Sequence, residues 1–264
     1  MAGKQIVQSR GDGVTILEEG DIFFLYIPKV EHESAESLED VQRMKIVLHP
    51  RDRKKYRLLV VGEKKLPEMT GGGSKARKNW GFVEMVAGDP RKIEDELAEK
   101  TYETKTRGER ERPAARSAGE GVYAVLRHGD HTHMIYALEL PRKPGEVQEE
   151  LDIEQEGSYI LSIKNPEKPS PPRAGLRRSQ KADYPEKLQE EFRGRRFIPA
   201  DPPDFLDYEG AELLLIAASE DVSEEMGVTL DTEKESMETA ETFRDLRMRR
   251  SEHPLEPLFQ GEWA

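Results

Sequence analysis

The sequence predicts a β-rich α+β fold made of two similar strand-meander units, with short helices and a C-terminal amphipathic helix. Three observations predict this fold class. Apolar residues come in short bursts of strand length, separated by charged loops. Helical periodicity is confined to a few short stretches. A strand–turn–strand order recurs in the two halves of the chain, which is typical of related units.

The first unit covers residues 1–103. β-branched and aromatic residues, which favour strands, are frequent at 14–17, 21–27, 43–49, 56–61 and 80–86. Ser37 is a candidate cap for a short helix. Asp89 stands at a cap position and Pro90 at a first helical position, so we expect a helix that continues through Leu97.

The second unit covers residues 104–218 and repeats the order of the first. Residues 20–26 correspond to 121–127, 44–50 to 135–141, and 56–60 to 159–163. These matches predict an internal duplication, and the alternative is two unrelated three-stranded meanders. Contact between the units is expected to bury Phe23 or Phe24, Val125, Leu214 and Ile216, depending on which strand face turns inward.

Residues 166–203 are rich in proline and arginine and are expected to wrap the surface, with a helix near 184–192. The last range, 219–264, predicts an acidic linker and then an amphipathic helix from Asp231 or Thr232 to Arg250. Acidic residues come early in that helix and arginines late, as the helix dipole favours. The aromatic tail that follows is expected either to dock on the core or to bind a partner.

Composition limits the classes of site. The 264 residues include 53 acidic and 41 basic ones, a net charge of −12, and no cysteine. Disulfides, thiolate metal sites and cysteine nucleophiles are therefore excluded, and a metal would need His, Asp or Glu ligands. Neither a signal peptide nor a membrane helix is apparent, so we expect a soluble, cytoplasmic protein without membrane contact. The acidic balance disfavours nucleic acid, although basic residues 193–196 leave RNA open as a partner.

The strongest candidate site is a histidine-rich hairpin. Gly129 and Asp130 lie between two strand-like segments, and glycine at the first central position is typical of a two-residue type II′ turn. Such a turn places three histidines on one strand face: His128, His131 and His133. The same face continues through Val122, Ala124, Ile135 and Ala137. The opposite face carries Tyr123, Arg127, Thr132 and Tyr136.

An arginine-rich stretch directly precedes this hairpin. Guanidinium groups bind phosphate or carboxylate bidentately, and we expect these arginines to line one cleft with the histidines. The candidate ligand-binding residues are Arg107, Arg110, Arg112, Arg116, Arg127, His128, His131 and His133. The alternative is a charged surface loop whose glutamates pair with the arginines locally.

The leading functional hypothesis is a binding or regulatory protein whose Arg/His-lined cleft takes an anionic small molecule or a protein partner. A second hypothesis is a metal-dependent hydrolase of a phosphoester-like substrate. In that case His128, His131 and His133 hold Zn²⁺ or another divalent metal, whose bound water is the nucleophile. A third hypothesis is a scaffold that binds through its C-terminal tail. The sequence assigns no catalytic residues and leaves enzyme activity open.

Overall fold

The computed structural model describes residues 6–9, 13–30, 32, 34–69, 77–104, 108–170, 175–219 and 221–264. Strands dominate it, which confirms the β-rich α+β class. In chain order the strands are β1 (Val7–Ser9), β2 (Val14–Pro28), β3 (Val41–Pro50), β4 (Tyr56–Val61), β5 (Lys78–Ala87), β6 (Lys100–Thr104), β7 (Gly108–Arg112), β8 (Arg116–His128), β9 (His131–Leu140), β10 (Glu156–Lys164), β11 (Phe197–Pro199), β12 (Glu212–Ser219) and β13 (Val228–Leu230).

The helices are short. They are α1 (Pro90–Leu97), α2 (Glu146–Glu150), α3 (Glu186–Glu191), α4 (Val222–Met226), α5 (Glu241–Arg244) and α6 (Glu256–Phe259), and 3₁₀ turns cover Leu38–Asp40, Arg178–Gln180 and Pro203–Asp207. The start of α1 is as predicted, because the Asp89 side chain accepts a hydrogen bond from the Arg91 backbone N–H at 3.0 Å. Pro90 occupies the first turn, where its missing N–H costs nothing.

Eight antiparallel strands close into a barrel in the order β10, β12, β5, β4, β3, β2, β8 and β9, after which β9 pairs with β10 again. Closure is possible because β10 offers both of its edges. One edge pairs with β12 through residues 158–163, and the other pairs with β9 through residues 156–160. The short strand β11 extends the second edge. Each of the eight barrel strands therefore has a neighbour on both sides, and only the short β11 is an edge strand of this sheet.

The barrel consists of two four-stranded meanders. Strands β2 to β5 come from the first predicted unit, and β8, β9, β10 and β12 come from the second. The two ranges therefore share one sheet and one interior. The duplication itself stays a prediction, and one matched pair differs in environment: Tyr159 belongs to the interior cluster, whereas Tyr56 packs in a cluster on the outside of the sheet.

Side chains fill the barrel interior. Tyr136 packs edge-on against Phe24, with ring centroids 4.9 Å apart, and stacks on Tyr159 at 6.3 Å. An eight-stranded barrel is just wide enough for side chains to fill it. Phe24 and Val125 are buried in this cluster, as predicted. Leu214 and Ile216 are not part of it, because the alternation of β12 turns their neighbours Leu213 and Leu215 inward instead.

The outer face of the barrel is also covered. On one side α1 packs Ile93 and Leu97 against Phe23 and Leu58. On another side β1, α4 and β13 cover the outward residues of β8 and β9. Because both faces of these strands are buried, their sequences read as nearly continuous apolar runs instead of alternating ones.

The C-terminal range differs from the prediction. Instead of one helix over residues 231–250, only α5 is helical there. The Glu120 carboxylate accepts hydrogen bonds from the backbone N–H groups of Glu241 and Thr242 at 3.0 and 2.8 Å, and Arg247 has φ 58°. These tertiary contacts override the amphipathic pattern. The expected acidic linker contains α4 and β13. β13 pairs with β1, and apolar side chains of both strands pack on the outer face of the barrel.

The aromatic tail docks on the protein's own core. Trp263 packs edge-on against Tyr26, with ring centroids 5.2 Å apart, and the Tyr26 hydroxyl donates to the Ala264 carbonyl at 3.1 Å. Leu258 in α6 is buried, and the Gln148 side chain donates to the Pro257 carbonyl at 2.9 Å. We call this end of the barrel the tail end. Leu258 and Trp263 of the tail therefore pack against other residues of the same chain.

Leu258→Ala is expected to destabilise the protein by about 2–5 kcal/mol, because truncating a buried leucine removes contacts and leaves a cavity. Leu255→Ala is the matched control in the same segment, at a position that is only partly buried, and should cost under about 1 kcal/mol. Urea unfolding of both variants checks this. Equal midpoints for the two variants would contradict the docked tail.

Candidate functional site

The histidine hairpin has the predicted register. His128 pairs with His131, Arg127 with Thr132 and Leu126 with His133. Gly129 has φ 57°, as the first central residue of a type II′ turn requires. The predicted faces are confirmed as well, since Val122, Ala124, Ile135 and Ala137 pack outside the barrel whereas Tyr123 and Tyr136 lie inside it. We call this end of the barrel the hairpin end.

The three histidines are neighbours on one strand face, but their environments differ. His133 is buried and its Nδ1 lies 3.1 Å from the Ser158 hydroxyl, whereas His128 and His131 are exposed at the tip. The ring centroids of His128 and His133 are 6.1 Å apart. Within the described ranges, the one trio of His, Asp or Glu side chains whose ligand atoms lie within 4.8 Å of one another is found elsewhere. Metal binding by these three histidines therefore stays a prediction, and their ligand atoms do not lie within 4.8 Å of one another.

The described arginines of the stretch before the hairpin, Arg110, Arg112 and Arg116, do not share a cleft with the histidines. Arg107 lies outside the described residues. Arg110 and Arg112 lie on β7, where Arg112 is held by Glu96, and Arg116 is buried at the start of β8. β8 has 13 residues, so Arg116 and His128 are separated by about 40 Å along the strand. These arginines come just before β8 or at its start. They therefore lie at the end of that strand that is far from the hairpin turn.

A different set of residues forms a cleft at the hairpin end. Its volume is about 530 Å³, and its charged and ionisable lining residues are Arg127, Asp130, His131, Glu191, Arg195 and Asp201. We call it the hairpin cleft. Arg127 pairs with Asp201 at 2.8 Å. Of the predicted ligand-binding residues, Arg127 and His131 line this cleft. Arg195 was missed as a ligand-binding candidate, although the basic cluster 193–196 marked it in the sequence.

A buried ion network lies beneath the hairpin end. The Arg57 guanidinium is fully buried and donates to both Glu18 carboxylate oxygens at 2.6 and 3.0 Å and to Asp207 at 2.8 Å. The Tyr123 hydroxyl donates to Glu18 at 2.8 Å. Burial lowers the pKa of Arg57, but attraction to Glu18 and to Asp207 outweighs it and raises the pKa above its usual value. Arg57 thus remains charged inside the barrel.

This network positions the wall of the hairpin cleft. Glu18, Arg57 and Tyr123 belong to three barrel strands, whereas Asp207 ends the 3₁₀ turn Pro203–Asp207. The segment before that turn carries Asp201 and Arg195, which line the cleft. Arg57 therefore ties the covering segment to the barrel. In the sequence, Arg57 is the only charged residue of the apolar strand Tyr56–Val61. It was not among the site residues predicted from the sequence.

A second concentration of charge lies on the outer face of the barrel. Six carboxylate side chains lie near one another where the C-terminal segment packs on the barrel: Asp21, Glu120, Glu139, Glu235, Glu241 and Asp245. We call them the carboxylate cluster. All except Asp245 are buried. Burial and mutual repulsion raise the pKa of Glu139 to about 7 and that of Glu241 to about 8.

His49 adjoins this cluster. It is paired with Asp21 across β2 and β3, and its ring stacks on Tyr56 with centroids 4.2 Å apart. Its Nδ1 lies 3.5 Å from Asp21 Oδ2. The other Asp21 oxygen accepts from Arg51 at 2.8 and 3.0 Å. Asp21, His49 and Asp245 are the trio whose ligand atoms lie within 4.8 Å of one another.

Comparisons of the chain with protein-family models, with curated proteins and with solved structures find no match in any of the three. Within the described ranges, every helix is too short or too polar to cross a lipid bilayer.

Arg57→Met is expected to destabilise the protein by about 3–5 kcal/mol, because it leaves the buried Glu18 carboxylate without its cation. Lys55→Met is the control. Lys55 also pairs with Asp207 but is partly exposed, so its loss should cost under about 1 kcal/mol. Denaturant unfolding compares the two, and a similar loss in both would show that the network does not anchor the fold.

Burial lowers the pKa of His133 from 6.5 to about 4. The unfolded chain therefore binds a proton at a pH where the folded protein does not, and stability falls as the pH drops from about 6.5 towards 4. We expect His133→Asn to remove about 2.5 kcal/mol of this loss between about pH 7.5 and pH 4.5. Parallel profiles for wild type and His133→Asn would refute the assignment.

Proposed function

We propose that the protein is a binding protein whose hairpin cleft takes a small anionic ligand carrying hydroxyl groups, of the sugar-phosphate class. The observation that carries the proposal is that two arginines and a histidine, Arg127, Arg195 and His131, line one cavity of about 530 Å³. That volume lies within the range of small-molecule sites, and barrel mouths are frequent places for them. The ligand is anionic, as the sequence predicted. Most of the residues that would bind it differ from the predicted set.

Arg195 is the best-placed anion-binding group. No carboxylate of the described residues lies within ion-pair distance of its guanidinium, whereas Arg127 is already paired with Asp201. A free guanidinium fork binds a phosphate or carboxylate through two parallel hydrogen bonds. His131 is exposed beside it and adds a further donor.

The carboxylates of the cleft argue for hydroxyl groups on the ligand. Asp130 and Glu191 line the same cavity as the two arginines. Carboxylates repel a bare anion, but they accept hydrogen bonds from hydroxyl groups. A ligand with a phosphate at one end and hydroxyl groups along its length satisfies both kinds of side chain. Inorganic phosphate satisfies only the arginines and is expected to bind more weakly.

Thermal unfolding with a panel of sugar phosphates, inorganic phosphate and neutral sugars tests the proposal. A sugar phosphate at 100 times its dissociation constant should stabilise the protein by about 2.7 kcal/mol. Arg195→Gln should abolish this stabilisation without lowering the melting temperature of the free protein. Arg142→Gln makes the same change at an exposed position at the tail end and should retain it.

Two results would contradict the proposal. One is the absence of a shift with every phosphorylated sugar in the panel. The other is an equal shift in wild type and Arg195→Gln, which would place the anion elsewhere on the protein.

A further inference from the structure

We propose that Asp21, His49 and Asp245 form a binding site for one divalent transition-metal ion of the Zn²⁺ type. The site lies on the outer face of the barrel and is independent of the hairpin cleft. It uses none of the three histidines that the sequence pointed to. Its three residues come from β2, from β3 and from the position that directly follows α5.

The spacing of the two strand residues fits a shared ion. Asp21 and His49 are directly paired across β2 and β3, and Asp21 Oδ2 lies 3.5 Å from His49 Nδ1. That separation is too long for a good hydrogen bond, and His49 Nδ1 is buried without a hydrogen-bond partner. Two ligands at about 2.1 Å from one tetrahedral ion are about 3.4 Å apart. The two atoms therefore already have the separation that an ion would require.

Surrounding groups hold these two ligands in place. Arg51 donates twice to Asp21 Oδ1, which leaves Oδ2 directed towards His49. The His49 ring is fixed by stacking on Tyr56. Groups that orient ligands in this way are a regular part of metal sites and strengthen binding.

Glu241 lies beside this trio and adds further negative charge to its surroundings. It is 7% exposed, and its Oε2 atom is buried with no hydrogen-bond partner, although Oε1 accepts from Arg244 at 2.5 Å. Among its neighbours, Asp21 and Asp245 act on its charge most strongly, so Glu241 borders the site without belonging to the trio whose ligand atoms lie within 4.8 Å of one another. A buried carboxylate oxygen without a partner is costly, and a cation bound by the neighbouring trio would reduce that cost.

The charge balance points the same way. The carboxylate cluster contains six acidic side chains, and the cations that pair with its members are Arg51 and Arg244. Glu120 and Glu139 are stabilised instead by backbone N–H groups, which carry no full charge. A divalent ion would offset much of the remaining negative charge in a region from which water is largely excluded.

The types of ligand atom predict which ions the site prefers. Ca²⁺ and Mg²⁺ prefer oxygen ligands alone, whereas a site with one imidazole and carboxylates suits Zn²⁺ and, less tightly, Mn²⁺. We therefore expect Zn²⁺ to bind more tightly than Mn²⁺, and Mg²⁺ to bind weakly. Because Asp245 belongs to the C-terminal segment, the ion would also tie that segment to β2 and β3.

The test uses the full chain without a histidine tag, stripped with a chelator and titrated with ZnCl₂, MnCl₂ or MgCl₂ by calorimetry. We expect one Zn²⁺ per chain and at least a tenfold loss of affinity in His49→Gln and in Asp245→Asn. Asp245 is partly exposed, so Asp245→Asn keeps the test valid if His49→Gln fails to fold. His131→Gln and Asp95→Asn, which change an exposed histidine and an exposed aspartate elsewhere, should bind Zn²⁺ as the wild type does.

A second readout locates the ion. Substoichiometric Mn²⁺, which is paramagnetic, should broaden the NMR signals of residues around Asp21, His49 and Asp245 before those of the hairpin. Three results would overturn the proposal: no saturable Zn²⁺ binding, undiminished binding in both His49→Gln and Asp245→Asn, or broadening centred on His131.

Discussion

The pairing of β10 with both β9 and β12 is the interaction on which the structure depends. It turns two successive meanders into one closed barrel and leaves no edge through which they could separate. Closure also decides where chemistry can occur. Aromatic and aliphatic side chains fill the interior, so polar and charged groups are collected at the barrel ends and on the outer face.

The two buried charge sites differ in how they are balanced. Around Arg57, guanidinium, carboxylate and hydroxyl groups satisfy one another, and Lys55 and Arg53 add further cations to Asp207. This network holds the segment that carries Asp207 against the barrel strands that carry Glu18, Arg57 and Tyr123. The carboxylate cluster instead has an excess of negative charge and an unpartnered oxygen on Glu241. An imbalance of that kind is typical of a site that is completed by something other than side chains.

Local features of the fold were predictable from the sequence because their causes are local. Asp89 and Pro90 predicted the start of α1, and Gly129 predicted the hairpin turn together with its register and its two faces. Closure was not predictable, since it depends on β10 pairing with a strand on each side, and no single segment encodes that. The helix expected over 231–250 failed for a similar reason: the Glu120 carboxylate, more than a hundred residues away, binds the backbone of Glu241 and Thr242.

The candidate site was predictable only in part. Arg127 and His131 were named from the hairpin pattern and do line a cleft, but the arginines before β8 lie at the other end of that long strand. Asp21, His49 and Asp245 come from distant parts of the sequence, with no motif spacing that links them. Strand pairing brings the first two together, and docking of the C-terminal segment adds the third.

Amide hydrogen exchange along β9 and β10, resolved residue by residue by NMR, tests the closed barrel most directly. In an antiparallel sheet alternate N–H groups point to opposite neighbours, so an open seam would leave about half of these amides unbonded. The closed barrel predicts that amides of residues 133–137 and 156–160 exchange as slowly as those between β2 and β8. Rapid exchange at every second residue of both strands would contradict closure.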